Sequence, residues 1–239
     1  QVNAIVLAAS QGNLGELTKE IPKTMLKING KPILSMQIND LNKVGVKDIR
    51  VVRGFAKESI SLNNISVTDN DEFASTQELY SLYLAKDKLG AGTTVVSYGD
   101  MVYKSYILND LLNDPNDITI VVDADAQISG DGQDLVLTDK PYSRNLYSSS
   151  VKLLSAGAAN EGKATNGEFI GLWKVSENGA LIVKECLERL AAQDHFKSMT
   201  LIDLFNELVK TKDIAVKFIK GDWLDIDTIV DLQKAGELL

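Results

Sequence analysis

Residues 4–26 read AIVLAASQGNLGELTKEIPKTML, and the rest of the chain is organised around this stretch. An apolar run that ends in Ala8 and Ala9 and leads into a loop of small residues is typical of a buried parallel strand. Alanines and glycines let a ligand lie against bare backbone, whose free N–H groups can bind a nucleobase edge or phosphate oxygens. Lys23 adds a compact positive charge suited to a polyphosphate. The stretch predicts a strand followed by a nucleotide-binding loop, although an ordinary surface loop could contain the same glycines.

Composition excludes several classes of protein. A chain of 239 residues with 44% hydrophobic and 24% charged residues is typical of a globular domain, alone or with a small lid. The net charge of −8 argues against nucleic-acid binding, which relies on cationic contacts to phosphate. One cysteine leaves no intrachain disulfide framework. Without a signal peptide or an apolar run of ~18 residues, we expect a cytoplasmic protein with no membrane partner. Because Gln1 almost directly enters a core strand, we also expect one domain, residues 1–239, cut from a longer polypeptide.

Strand-like and helix-like segments alternate along the chain. The predicted strands occupy residues 4–9, 48–52, 65–68, 93–100, 117–125, 146–154, 168–175 and 214–219. The predicted helices occupy residues 32–44, 77–85, 183–190 and 201–208, with a closing helix after 227. Residues 126–145 are polar and predict a loop or flap, and residues 223–227 predict a turn. This alternation predicts an α/β fold, Rossmann-like, with a mainly parallel mixed sheet flanked by helices and a small lid.

Acidic residues follow the strands at the edge where α/β proteins bind ligands. Asp100 ends one predicted strand, and Asp123 and Asp125 end another. A single Asp at such a place can equally be a helix cap or a turn residue. The one histidine, His195, lies away from these segments, and Cys186 falls on a core face of a helix, so neither is predicted to be catalytic.

Residues 7–23, LAASQGNLGELTKEIPK, resemble the signature of the nucleotidylyltransferases, LAAGxGxRLxxLTxxxPK. Ser10 stands where the family has glycine, and the shortened loop lacks the arginine that helps hold the triphosphate in the family. The family also reads the base with a loop that precedes a Tyr-Ser-Leu helix. The resemblance therefore implies a nucleotide-binding set of Leu7, Ala8, Ala9, Ser10, Gly12, Lys23, Ser75 and Thr76.

The resemblance extends to the metal site. The Gly99-Asp100 pair matches the one with which family members hold Mg²⁺, and residues 223–227, WLDID, match their C-terminal Trp-x-Asp turn. It implies Mg²⁺ as cofactor, Lys23, Asp100 and Asp225 as catalytic residues, and Asp100 and Asp225 as metal ligands. Asp227 is either a further oxygen donor to the metal or the N-cap of the last helix. Such transfer depends mainly on positioning and charge neutralisation, and an ionised acceptor needs no general base.

Three further segments make the resemblance more specific within the nucleotidylyltransferases: residues 51–58, 73–82 and 219–227. They are similar to cytidylyltransferase domains that act on phosphonates, often fused to a phosphoenolpyruvate mutase or an aminotransferase, and to phosphocholine cytidylyltransferases. The implied function is transfer of CMP from CTP to a small phosphonate such as 2-aminoethylphosphonate, with release of pyrophosphate. A phosphocholine or sugar-1-phosphate nucleotidyltransferase is the alternative enzyme. The missing arginine leaves an inactive nucleotide-binding domain as the alternative of another class.

Four residues are expected to contact the acceptor. Glu168 matches a family strand beside the acceptor, and Lys152 could reach a phosphonate, although a solvated lysine on an edge strand fits the same pattern. We expect Asp123 or Asp125 to read an ammonium group at the far end of the acceptor, while the other braces the flap.

Overall fold

The computed structural model describes residues 1–129, 133–144 and 150–239 of the chain. The strands are β1 (Val2–Ala8), β2 (Lys27–Ile28), β3 (Lys31–Pro32), β4 (Asp48–Arg53), β5 (Ser66–Asp69), β6 (Thr93–Tyr98), β7 (Met101–Tyr103), β8 (Ile118–Asp123), β9 (Leu135–Thr138), β10 (Val151–Ala156), β11 (Gly167–Val175), β12 (Ala215–Ile219) and β13 (Trp223–Asp225). The helices are α1 (Ile33–Lys43), α2 (Glu78–Leu84), α3 (Tyr106–Asn113), α4 (Glu177–Ala191), α5 (Leu201–Leu208) and α6 (Ile229–Leu238). No helix in these three ranges combines the length and the apolar character needed to cross a membrane.

One mixed sheet organises the described residues. Its strand order is β5-β4-β1-β6-β11-β8-β12-β10-β9. β1 pairs in parallel with β4 and β6, and β8 pairs in parallel with β12. β11 lies between β6 and β8 and is antiparallel to both. The carboxyl ends of β1, β6, β8 and β12 therefore meet at one edge, and the predicted α/β class is confirmed.

Alternation along β1 divides the apolar core into two layers. Ile5 and Leu7 pack with residues of α2, α4 and α5 on one face of the sheet. Val6 and Ala8 pack with residues of α1 and α3 on the other face. Because successive side chains of a strand point to opposite faces, a strand covered on both sides must be apolar throughout. This explains the uninterrupted apolar run that opens the chain.

Two predicted elements require correction. Within residues 126–145, predicted to be a loop or flap, residues 135–138 form β9, which pairs with β10 and β11. Residues 135–138 read LVLT, an apolar stretch inside an otherwise polar segment, and pairing with β10 and β11 makes this stretch a strand. Residues 223–227, predicted to be a turn, begin with β13, which is paired to β7. The strand predicted at 146–154 is β10 at Val151–Ala156, and residues 146–149 of that prediction lie outside the described residues.

Candidate active site

A cavity of about 640 Å³ opens at the carboxyl ends of the strands. Its walls come from the loop after β1, the turn after β6, the start of α2 and the segment before β9. The lining residues used below are Leu7, Ala8, Ala9, Ser10, Lys23, Asn70, Phe73, Thr76, Glu78, Tyr98, Asp100 and Asp134. The edge predicted from the sequence is therefore the edge that carries the cavity.

Lys23 is the centre of a charged cluster in this cavity. Its Nζ lies 3.1 Å from Oδ2 of Asp100 and 3.0 Å from Oδ1 of Asp227. Burial lowers the pKa of Lys23, but the two carboxylates outweigh burial and raise that pKa above 10.5. Its backbone N–H donates to the carbonyl of Gln11 at 3.1 Å. Lys23 is therefore charged. A hydrogen bond holds its backbone, and two ion pairs hold its ammonium group.

Gly12 packs directly against the Lys23 side chain. A Cβ placed on Gly12 would lie 2.9 Å from Cβ of Lys23, and φ of Gly12 is +82°. Both observations require glycine, since an L side chain would clash and would adopt the left-handed region at a cost. The loop that the sequence marks as glycine-rich therefore shapes the position of Lys23.

The turn that carries Asp100 is held from several sides. Gln37 is buried and donates from Nε2 to the carbonyls of Tyr98, at 2.8 Å, and Met101, at 2.6 Å. The hydroxyl of Thr24 donates to the carbonyl of Gly99 at 2.6 Å. Hydrogen bonds to the backbone carbonyls before and after Asp100 hold this turn, and they therefore fix the position of the Asp100 carboxylate relative to Lys23.

Asp225 and Asp227 reach the same cluster from the end of the chain. β13 is antiparallel to β7, with Asp225 opposite Met101, and the N–H of Ile226 donates to the carbonyl of Asp100 at 3.0 Å. Burial, followed by the charges of Asp100 and Asp227, raises the pKa of Asp225 to about 8. Three carboxylates thus converge where one ammonium offsets part of their charge.

This set of oxygen donors fits a divalent cation. No three His, Cys, Asp or Glu side chains among residues 1–129, 133–144 and 150–239 form a ready-made metal cluster. Burial raises the pKa of Asp225 most, and the charges of Asp100 and Asp227 raise it further. A hard cation would relieve that charge repulsion, and Mg²⁺ is usually held by one or two carboxylates plus substrate phosphates.

The predicted nucleotide-binding residues fall into two groups. Leu7, Ala8, Ala9, Ser10 and Thr76 line the cavity together with Lys23. Gly12 contacts Lys23, as described above, and Ser75 is exposed, with its hydroxyl donating to the carbonyl of Glu72 at 3.4 Å. In the described part of the chain Lys23 is the one Lys or Arg on the cavity wall, so no arginine takes the place of the one absent from the loop.

Three of the four predicted acceptor-binding residues make contacts with other parts of the protein and do not line the cavity. Asp123 is 5% exposed, and protein donors occupy both of its oxygens. The exposed Asp125 lies 3.8 Å from Lys220. Lys152 pairs with Asp213 at 3.1 Å and sits opposite Ala215, at the amino end of β12, away from the cavity edge.

Glu168 remains close to the site. It pairs in register with Asp123 across β11 and β8, and Oε1 accepts from Nε2 of Gln133 at 3.2 Å. Burial raises the pKa of Glu168, with further contributions from Asp134, Asp123 and Asp227. Glu168 is therefore within electrostatic reach of Asp227, which belongs to the Lys23 cluster.

The sequence reasoning missed two carboxylates on the cavity wall. Oε1 of Glu78 accepts from the hydroxyl of Tyr98 at 3.2 Å and from the N–H of Leu201 at 3.1 Å. Burial and the nearby Glu78 raise the pKa of Asp134 to about 6. Glu78 lies just after Ser75 and Thr76, which were predicted to bind the base, and this proximity was the local signal that could have identified it. Asp134 gave no such signal, because it lies in the segment predicted to be a flap.

Comparisons with known proteins agree with this fold. Residues 4–202 match the family model described as a MobA-like NTP transferase domain. The CTP:phosphoglutamine cytidylyltransferase of Campylobacter jejuni is 27% identical over 97% of this chain and 98% of its own length. The 2-aminoethylphosphonate cytidylyltransferase of Lancefieldella rimae is 33% identical over 43% of this chain and 44% of its own length. The solved CTP:phosphocholine cytidylyltransferase of Streptococcus pneumoniae superposes with a TM-score of 0.77, at 23% identity, over 100% of this chain and 99% of that chain.

The family model spans more than half of the residues, and it includes the β1 loop, Lys23 and Asp100. The chain belongs to the MobA-like NTP transferase domain family, and it is a nucleotidyltransferase.

Proposed function

We propose that this nucleotidyltransferase is a Mg²⁺-dependent cytidylyltransferase that transfers CMP from CTP to a small phosphonate such as 2-aminoethylphosphonate. One observation carries the proposal: Lys23, on the wall of the cavity that Ala8 and Ala9 also line, forms ion pairs with Asp100 and Asp227. A charged cluster beside bare backbone can hold a triphosphate and a base together. The similarity to cytidylyltransferases that act on phosphoglutamine and on 2-aminoethylphosphonate supports CTP as the nucleotide substrate.

The reaction needs positioning rather than covalent help from the protein. An oxygen of the acceptor attacks the α-phosphorus of CTP, the bond to the bridging oxygen breaks, and pyrophosphate leaves with that electron pair. The acceptor is ionised at neutral pH, so no side chain has to remove a proton. In-line alignment and neutralisation of the developing charge account for most of the acceleration in such transfers.

Lys23 would act on the triphosphate, and the carboxylates would hold the metal. Lys23 and Asp100 both line the cavity, so a phosphate oxygen bound there would compete with Asp100 for the Lys23 ammonium. Asp100, Asp225 and Asp227 would be the metal ligands. When bound, Mg²⁺ would supply charge neutralisation at the phosphates.

A cationic group at the far end of the acceptor would suit this cavity. Glu78 and Asp134 are two half-buried carboxylates on its wall, and Glu168 adds a third charge near them. The ammonium of 2-aminoethylphosphonate would form charge-assisted hydrogen bonds with such a wall. A sugar 1-phosphate has no cation to offer, and the acidic wall gives it no equivalent partner.

A phosphocholine acceptor is the second candidate. Phe73 and Tyr98 line the same cavity, and aromatic faces attract quaternary ammonium groups. The whole-chain likeness to the solved phosphocholine enzyme supports the fold that this candidate needs. The two candidates share the nucleotide half of the site and differ only at the acceptor.

A pyrophosphate-release screen tests the proposal. Each of the four common ribonucleoside triphosphates would be paired with 2-aminoethylphosphonate, its hydroxyl analogue, phosphocholine and glucose 1-phosphate. We expect CTP with 2-aminoethylphosphonate to give the highest kcat/KM, by at least ~10-fold over the hydroxyl analogue. Preference for phosphocholine would select the second candidate, and preference for glucose 1-phosphate or another nucleotide would refute both.

A further inference from the structure

The Asp123 carboxylate lies where the C-terminal segment turns toward the active site. Asp123 ends β8, and its Oδ2 accepts a hydrogen bond from Nε1 of Trp223 at 2.7 Å. Its Oδ1 accepts from the backbone N–H of Gly221 at 3.1 Å. We infer that Asp123 is a positioning residue, which sets the place of Asp225 and Asp227 by anchoring the turn before them. This inference rests on the proposed function for the roles of those two aspartates.

The turn that Asp123 anchors is unusual in its backbone. Gly221 and Asp222 are consecutive residues in the left-handed region, with φ of +69° and +66°. Such a conformation disfavours a non-glycine residue and persists only where surrounding contacts over-determine it. On the outer side, Tyr106 donates from its hydroxyl to the Asp222 carboxylate, and the N–H of Lys104 donates to the Asp222 carbonyl at 2.9 Å. Asp123 supplies the contacts on the inner side.

The short ribbon of β13 and β7 connects this turn to Asp225 and Asp227. β13 has three residues and, among the described strands, pairs with the three-residue β7 alone, which directly follows Asp100. A ribbon of this length offers few backbone hydrogen bonds, so the contacts at both of its ends contribute to its placement. Ile226 and Asp227 hold the end near the site, through Asp100 and Lys23. Trp223 is the first residue of β13, and its indole N–H is held by Asp123. Asp225 and Asp227 follow within four positions.

The chemistry of the contacts calls for a carboxylate at this position. Three donors point at its two oxygens: the N–H groups of Asp125 and Gly221 at Oδ1, and Trp223 Nε1 at Oδ2. A carboxylate offers acceptors alone, whereas an asparagine would direct its NH₂ group at one of these donors. The sequence predicted that Asp123 or Asp125 reads the acceptor. Because protein donors engage both oxygens of Asp123, this carboxylate anchors the protein's own chain instead.

Two matched variants separate anchoring from general stability. Asp123→Asn removes the acceptor facing Trp223. Asp114→Asn is the control, because Oδ1 of Asp114 also accepts three hydrogen bonds, from two donors of Asn116 and from Thr119. That carboxylate lies before the amino end of β8, at the end of the strand away from the cavity.

Fluorine NMR of ligand-free protein labelled with fluorotryptophan gives the direct readout. The two tryptophans give two signals, and loss of one signal in Trp223→Phe assigns it. We expect Asp123→Asn to shift or broaden the Trp223 signal and to leave that of the fully buried Trp173 in place. Asp114→Asn should leave the Trp223 signal unchanged.

Kinetics give the second readout. We expect Asp123→Asn to lower kcat at least ~10-fold and to raise the Mg²⁺ concentration needed for half-maximal rate, because small misplacements of reacting groups cost this much or more. The KM for CTP should change less than kcat. Trp223→Phe, which lacks the indole N–H, should act in the same direction. Combining it with Asp123→Asn should add little, because the two residues act through one contact.

Either readout can overturn the inference. An Asp123→Asn protein that matches the Asp114→Asn control in its Trp223 signal, or in both kcat and Mg²⁺ requirement, would show that Asp123 does not position the site. Should Asp123→Asn fail to fold, unchanged kcat and Mg²⁺ requirement in Trp223→Phe would refute the anchoring. The fluorine spectra need no turnover, so inactivity of the unmodified protein would count against the proposed function alone.

Discussion

At the residue scale, the Lys23 ammonium shows how a single charge can serve two states of a site. In the ligand-free protein it neutralises Asp100 and Asp227, and its raised pKa keeps it charged across the usual pH range. A triphosphate would compete with those carboxylates for the same cation. We therefore expect Lys23 to contribute more to the transition state than to ground-state binding, since negative charge shifts onto pyrophosphate as it leaves.

Replacing Lys23 tests this role. Lys23→Met keeps much of the side-chain length and removes the charge, and it should lower kcat by at least ~10²-fold. The KM for CTP should rise by a smaller factor, because a group that acts mainly in the transition state alters kcat more than KM. Steady-state kinetics would measure both, with Lys27→Met at an exposed position as the control. A change confined to KM would mean that Lys23 only binds the nucleotide.

Asp134 gives a test of acceptor recognition at the same scale. Asp134→Asn removes one charge from the wall that is proposed to face the ammonium. The preference for 2-aminoethylphosphonate over its hydroxyl analogue should fall by about 10-fold, since each 1.4 kcal/mol of a charge pair is worth a factor of ten. Competition between the two acceptors at fixed CTP would measure it, with Asp139→Asn at an exposed site as the control. If Asp134→Asn keeps the full preference for 2-aminoethylphosphonate, a residue other than Asp134 binds the ammonium group.

The same residue predicts a pH dependence of stability. The pKa of Asp134 is about 6 in the folded protein, against 3.8 for an unperturbed Asp, mainly because of burial. The folded state thus holds its proton more tightly, and stability is lost as pH rises through this interval. Asp134→Asn should gain stability relative to the unmodified protein between about pH 4.5 and 7.5, by roughly 1–3 kcal/mol. Urea unfolding at both pH values would measure it, and a difference independent of pH would contradict it.

At the element scale, the loop after β1 offers two glycines for comparison. Both Gly12 and Gly15 have positive φ, of +82° and +59°. An added Cβ would press on Lys23 from position 12, whereas at position 15 nothing lies within 4 Å. The two positions therefore share the backbone penalty and differ in the contact with Lys23.

Alanine at each position separates these effects. Gly12→Ala and Gly15→Ala should each lose about 1–2 kcal/mol of folding stability from the left-handed conformation. Gly12→Ala alone should lower kcat/KM by at least ~10-fold, because it moves Lys23. Thermal unfolding and steady-state kinetics would measure the two effects. Equal kinetic losses in both variants would show that the loop's flexibility, rather than the contact with Lys23, governs activity.

At the scale of the whole molecule, the site joins distant parts of the chain. Lys23, Asp100 and Asp227 come from the beginning, the middle and the end of the sequence, yet they share two ion pairs. A ligand that binds only this assembled site should stabilise the entire fold. The prediction that the chain is one domain cut from a longer polypeptide stays a prediction.

Thermal unfolding with nucleotides tests this coupling. CTP with Mg²⁺ should raise the melting temperature, with about 2.7 kcal/mol of stabilisation at a hundredfold excess over Kd. ATP with Mg²⁺ should raise it less, if the cavity selects cytosine. Asp100→Asn should lose most of the increase, because the metal would lose a ligand. Equal shifts with CTP and ATP would contradict the selection of CTP.

The sequence by itself determined the features that depend on neighbours along the chain. The apolar run of β1, the Gly12 loop and Lys23 lie within 23 residues, so periodicity and residue type were enough to place them. The position of Asp100 at the end of a buried strand followed in the same way. The α/β class followed from the alternation of helix and strand patterns, since each pattern records burial on one or two faces.

Only the tertiary structure decided which of the remaining carboxylates face the site. Asp123 was predicted to read the acceptor, but the left-handed turn at 221–222 brings Trp223 against its oxygens. Asp134 looked like part of a flap, yet β9 begins beside it because its pairing partners come from β10 and β11. The direction of a side chain at a strand end depends on hydrogen bonds to residues far away in sequence, and local residue patterns carry no record of those partners.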